Sequence, residues 1–71
     1  MLEEMSDNIK LEVAIEIMAT KIANTVRLGY DENSEELKLL LKEKKEMYEF
    51  NRDVIEKIIT VYGPEVKINK N

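Results

Sequence analysis

The chain of 71 residues has no cysteine, no histidine and no tryptophan, and only two glycines, one proline and one phenylalanine. Without cysteine there is no disulfide to stiffen the fold. Without cysteine or histidine there is no ordinary structural zinc site. Lacking both, it also lacks the usual general base and the usual thiol nucleophile. Two isolated glycines do not make a phosphate-cradling loop. No apolar run exceeds three residues, far short of the roughly 20 that a membrane-spanning helix needs. The opening residues MLEEMSDN are acidic and lack the basic-then-apolar order of a secretory leader. The absence of cysteine fits a reducing compartment, so the expected location is cytoplasmic. A domain of this size buries only about 60% of its unfolded surface, so helix packing or self-association has to supply the stability.

What the chain does have is periodicity. From Leu37 to Val61 eight positions recur at alternating intervals of three and four: Leu37, Leu40, Lys44, Met47, Asn51, Val54, Ile58 and Val61. That is an a/d heptad seam. The residue after each d position is also apolar, namely Leu41, Tyr48, Ile55 and Tyr62. The resulting stripe is wider than a two-stranded coiled coil requires. It predicts one long second helix over about 34–62, roughly 43 Å at 1.5 Å per residue. Two a positions, Lys44 and Asn51, are polar. Polar residues at such positions set register and oligomeric state, and Lys44 can extend its amine to the rim while its stem packs. On this reading Asn51→Leu raises the melting temperature and broadens the oligomer distribution.

A first helix is expected over about 8–28, with a start as early as Leu2 because Leu2, Met5 and Ile9 keep helical spacing. Its main stripe is Leu11, Ile15, Met18, Ile22 and Val26. Val13 and Ile17 lie on the opposite side and are candidates for a second contact with another chain. Gly29 suits the left-handed residue that ends a helix. Asn33 and Glu36 have the spacing of a variant capping box for the second helix. A connector this short makes the two helices antiparallel neighbours. Gly63 and Pro64 read as a firm stop, with residues 64–71 as a flexible polar tail. If the first helix starts at Asn8, the second overhangs it by roughly two turns. Ile55, Ile58, Ile59 and Tyr62 would then need cover from Leu2 and Met5 or from another chain.

The fold expected is therefore all-α: an antiparallel two-helix hairpin over 1–63 that dimerises into a four-helix bundle. Core and interface candidates are Leu11, Ile15, Met18, Ile22, Val26, Leu37, Leu40, Leu41, Met47, Tyr48, Val54, Ile55, Ile58 and Tyr62.

The formal net charge is −4. Its acids concentrate where helices begin: Glu3, Glu4 and Asp7, then Asp31, Glu32, Glu35 and Glu36. The helix dipole favours negative charge there, so the acidity is helix-end chemistry. Glu46, Glu49 and Asp53 share one face of the second helix, as Glu12 and Glu16 do on the first. Helical metal sites project such acids inward. All-helical nucleotide pyrophosphohydrolases space theirs three apart, whereas Glu12 and Glu16, like Glu49 and Asp53, are four apart. A solvated face interleaved with Lys42, Lys45, Arg52 and Lys57 is the reading adopted. No catalytic, metal or cofactor site is expected. Lys38, Lys42, Lys45 and Arg52 form a basic flank, but Glu49 and Glu56 interrupt it. Nucleic acid is therefore not the expected partner.

In layout the chain resembles the small helical-hairpin phosphatases of the sporulation phosphorelay. Their second helix carries Ser-Gln-Glu-Leu-Asp. The nearest string here is Ser34-Glu35-Glu36-Leu37-Lys38, which lacks the final acid and opens the helix instead of lying within it. The resemblance implies the architecture and no activity. The function expected is that of a small non-enzymatic interaction module. It would be a regulator or adaptor, or an inhibitor from a phage or mobile element, working as a homodimer through a helix face on a protein partner. A dimeric RNA-binding hairpin and a metal-dependent helical hydrolase are the alternatives.

Overall fold

A computed structural model describes residues 6–66. Ser6 caps the first helix, α1 (Asp7–Arg27), its Oγ accepting the Ile9 amide at 3.2 Å. The Ser6 backbone is extended, so the helix starts at Asp7. The expected extension over Leu2 and Met5 lies outside the described residues. At the far end the Gly29 amide reaches the Val26 carbonyl and the Tyr30 amide reaches that of Thr25. With Gly29 at φ 108°, this is a Schellman ending. The connector then folds on Asp31, whose carboxylate accepts the Asn33 amide at 3.0 Å, while Ser34 Oγ accepts the Asp31 amide at 3.0 Å. Ser34, not Asn33, is the residue that precedes the second helix, and its hydroxyl serves the connector rather than the cap.

The second helix does not run to Tyr62. α2 (Glu35–Tyr48) ends in another Schellman motif. The Phe50 amide bonds to the Met47 carbonyl and the Asn51 amide to that of Glu46. Here the left-handed position is held by Phe50 at φ 63°, where glycine is the usual residue. Asn51 then caps α3 (Arg52–Lys57), its Oδ1 accepting the Val54 amide at 3.3 Å. The expected a-position register residue is thus an exposed helix cap. The third helix continues through a π-helical segment (Ile58–Tyr62) into α4 (Gly63–Val66). The predicted stop at Gly63-Pro64 is overturned. Proline has no amide hydrogen, and its ring collides with the carbonyl four residues back. The wider π turn absorbs this, with the Gly63 amide bonding five residues back to Ile58. Gly63 is right-handed and earns its place sterically: a Cβ there would lie 3.3 Å from Ile17 Cδ1.

The fold is all-α, three helices packed together, with no strand among the described residues. Its extents are 37 × 30 × 14 Å. The smallest is the thickness of two helical layers, one interaxial spacing of about 9 Å plus two Cα radii of about 2.3 Å. The core is Ala14, Ile17 and Met18 of α1, Leu37, Leu40 and Met47 of α2, and Ile55, Ile58 and Tyr62 of the third helix. Ile17, expected on a second face, is 2% exposed, and Val13 packs against the core beside it. That second contact exists, but the chain's own third helix makes it. Folding the chain back at Phe50 gives α1 two neighbours, so its buried face is turned about a quarter turn from its most apolar stripe. Leu11, Ile15 and Ile22 are left half-buried and Val26 exposed.

Candidate interaction surface

The two seams along α1 differ in chemistry. Against the third helix the seam is closed by ion pairs: Arg52 with Asp7 at 2.7 Å, Lys10 with Glu56 at 3.2 Å and Lys21 with Glu65 at 2.7 Å. Beneath it lies one buried carboxylate. Glu43 is 5% exposed and both its oxygens are engaged from the third helix. The Tyr62 hydroxyl donates to Oε1 at 2.6 Å and the Lys57 ammonium donates to Oε2. Lys21 and Lys57 stand 5.3 and 5.5 Å from the centre of the Tyr62 ring, within cation–π range. The bond to Glu43 holds the Lys57 ammonium above the ordinary lysine range. Burial, then the bond to Glu43, pushes the Tyr62 phenol up. Both oxygens of the carboxylate are occupied by its own chain, which suits a clasp between α2 and the third helix. Among the described residues no buried side-chain nitrogen or oxygen lacks a partner.

The seam between α1 and α2 has no ion pair across it among the described residues. It is an open groove of about 170 Å³ lined by Ile15, Met18, Ala19 and Ile22 of α1 and by Lys44 and Tyr48 of α2. Tyr48 is 54% exposed, and Leu41 lies two turns before it, also exposed. These side chains, with half-buried Leu11 and exposed Val26, make an apolar strip. Lys44 stands in the groove, exposed, and does not pack in a core. By helical position, exposed Glu12 and Glu16 border the strip on α1, and exposed Lys38 and Lys45 border it on α2.

Of the residues singled out from periodicity, the structure buries Met18, Leu37, Leu40, Met47, Ile55, Ile58 and Tyr62 together. It half-buries Leu11, Ile15, Ile22 and Val54, and leaves Val26, Leu41 and Tyr48 exposed as parts of a surface. Glu43 is the site residue that periodicity missed. It sits between Lys42 and Lys44 and reads as one more solvated charge. The signal was its register: three residues after Leu40 and four before Met47, in line with both. Glu12, Glu16, Glu49 and Asp53 are exposed, and no group of three metal-ligating side chains forms among the described residues. No helix among them is long and apolar enough to cross a membrane. No protein-family model matches the chain, and no curated protein and no solved structure matches it.

Proposed function

We propose that the protein is a non-enzymatic interaction module, a small regulator or adaptor, whose contact surface is the α1–α2 strip. The observation that carries this reading is the contrast between the seams: one closed by three ion pairs, the other open, apolar and continuous over both helices. A chain of 71 residues without a covalent staple has little stability to offset half-buried Ile and exposed Val, Leu and Tyr side chains in one strip. The occupant that fits is a second copy. The strip is acidic along α1 and basic along α2. A two-fold axis that lays α1 of one copy over α2 of the next sets Glu12 and Glu16 against Lys38 and Lys45 twice over. Four helices then surround the shared strip. A partner protein would meet the assembled dimer through the faces that remain open.

Light scattering across micromolar concentrations tests the reading. The expected result is a mass of at least twice the 8.3 kDa chain mass, halved in Ile15→Glu and Tyr48→Glu with helicity retained. A wild-type monomer at every concentration, with no dye binding at the strip, overturns it.

A further inference from the structure

We infer that the third helix is an exchangeable arm: the chain straightens across Glu49–Phe50–Asn51 into one long helix, and the arm packs on α1 and α2 of a second copy. Three independent observations support this. First, nothing covalent imposes the break. Between Glu35 and Tyr62 there is no proline and no glycine, whereas the α1–α2 connector has Gly29. Second, the break is strained. Phe50 occupies the left-handed region at φ 63°, a conformation that a bulky residue adopts only under constraint from its surroundings. Third, the a/d seam from Leu37 to Val61 runs through the break without losing phase. Leu37, Leu40 and Met47 before the break and Ile55, Ile58 and Tyr62 after it, all buried, fall on one face of a straight helix. The sequence is patterned for the straight helix as well as for the bent one.

Ile55, Ile58 and Tyr62 in the core hold the arm down in the bent form, together with polar contacts along its seam. Arg52–Asp7, Lys10–Glu56 and Lys21–Glu65 are exposed or half-exposed pairs, of the kind that contributes little each. The clasp of Glu43 with Lys57 and Tyr62 is re-formed unchanged when the arm comes from a partner. Exchange therefore relieves the Phe50 strain, replaces the Schellman and cap bonds around Phe50 and Asn51 with helical ones, and keeps the arm's contacts. A short strained hinge favours this outcome, and closure between two identical chains makes it a dimer and not a chain of copies. The exchange does not depend on the α1–α2 strip, which it leaves where it was.

A cross-linking experiment tests it cleanly, because the chain has no native cysteine. Lys10→Cys and Glu56→Cys place thiols on the α1–third-helix seam, away from the strip. The two single variants are mixed, unfolded and refolded together, and treated with a short bismaleimide. Exchange gives a cross-link between chains; the bent monomer gives one only within the double variant. Phe50→Gly, which removes the left-handed penalty, lowers the inter-chain yield about tenfold, and Phe50→Ala does not. Ile15→Glu leaves the yield unchanged, which separates arm exchange from dimerisation at the strip. Absence of any inter-chain product, or equal yields in Phe50→Gly and Phe50→Ala, overturns the proposal even if light scattering shows a dimer.

Discussion

Replacing Phe50 is the most direct test of how this chain turns its second corner. Two terms oppose each other in Phe50→Gly. Glycine relieves a left-handed conformation that costs an L-residue roughly 1–2 kcal/mol. Against that, the ring is 48% exposed, so about half of the roughly 1.5–3 kcal/mol of a fully buried Phe is lost. The two nearly cancel, and wild type against glycine is a poor comparison. Phe50→Ala loses the same ring and keeps the strain. The difference between the two variants therefore isolates the backbone, with glycine the more stable by about 1 kcal/mol. In a domain this small that is about 4–8 °C in melting temperature, read by circular dichroism at 222 nm. Paired urea melts give the same ordering with unchanged slopes. Alanine as stable as glycine would refute the reasoning, since it would mean the corner is not left-handed in solution.

Asn51→Ala removes the cap of α3 and costs about 1 kcal/mol in a urea melt, while Asn51→Asp keeps most of the wild-type stability. Asn51→Leu, expected from periodicity to stabilise, instead destabilises the bent form; a raised midpoint in a monomer would contradict the cap. Glu43→Gln weakens two charge-assisted bonds in the clasp and lowers stability by about 1–3 kcal/mol, measured by denaturant titration with Glu46→Gln, on the half-buried flank of α2, as control. Lys57 and Tyr62 both have raised folded-state values, so their contribution is complete below their ordinary values of 10.5 and 10.0 and is lost as pH rises through the folded ones. The melting temperature therefore falls in that alkaline range, and Tyr62→Phe flattens the fall. Gly29→Ala, at φ 108°, costs more than Gly63→Ala, whose new methyl is crowded by the terminal carbon of Ile17 at 3.3 Å and meets the Ile58 carbonyl oxygen at an ordinary 4.0 Å; the reverse order in thermal melts would show that Gly63 is the tighter site.

Much of the burial was legible from spacing. Periodicity reports which faces a chain hides, and α2 and the third helix both hide theirs against α1. It does not report connectivity. The non-helical interruption is only Glu49, Phe50 and Asn51, close to one helical turn of about 3.6 residues. A break of that length returns the seam to nearly its former phase, so no irregularity in the apolar pattern marks it. The local chemistry did mark it: Asn51 is a strong cap residue and Asp53 opens a first turn, but a heptad a position absorbs an asparagine equally well. The stop at Gly63-Pro64 failed for the converse reason. Both residues are breakers by propensity, and a π turn one step earlier cancelled the conflict. Once the third helix returns along α1, the rest follows. Ile17 gains a neighbour from its own chain, Glu43 gains two donors, and the most apolar stripe of α1 is displaced to the edge. The strip we assign to a second copy is therefore a consequence of the bend. An unbroken hairpin would have spent Ile15 and Ile22 on its own core, and the same sequence would have had no open strip to offer.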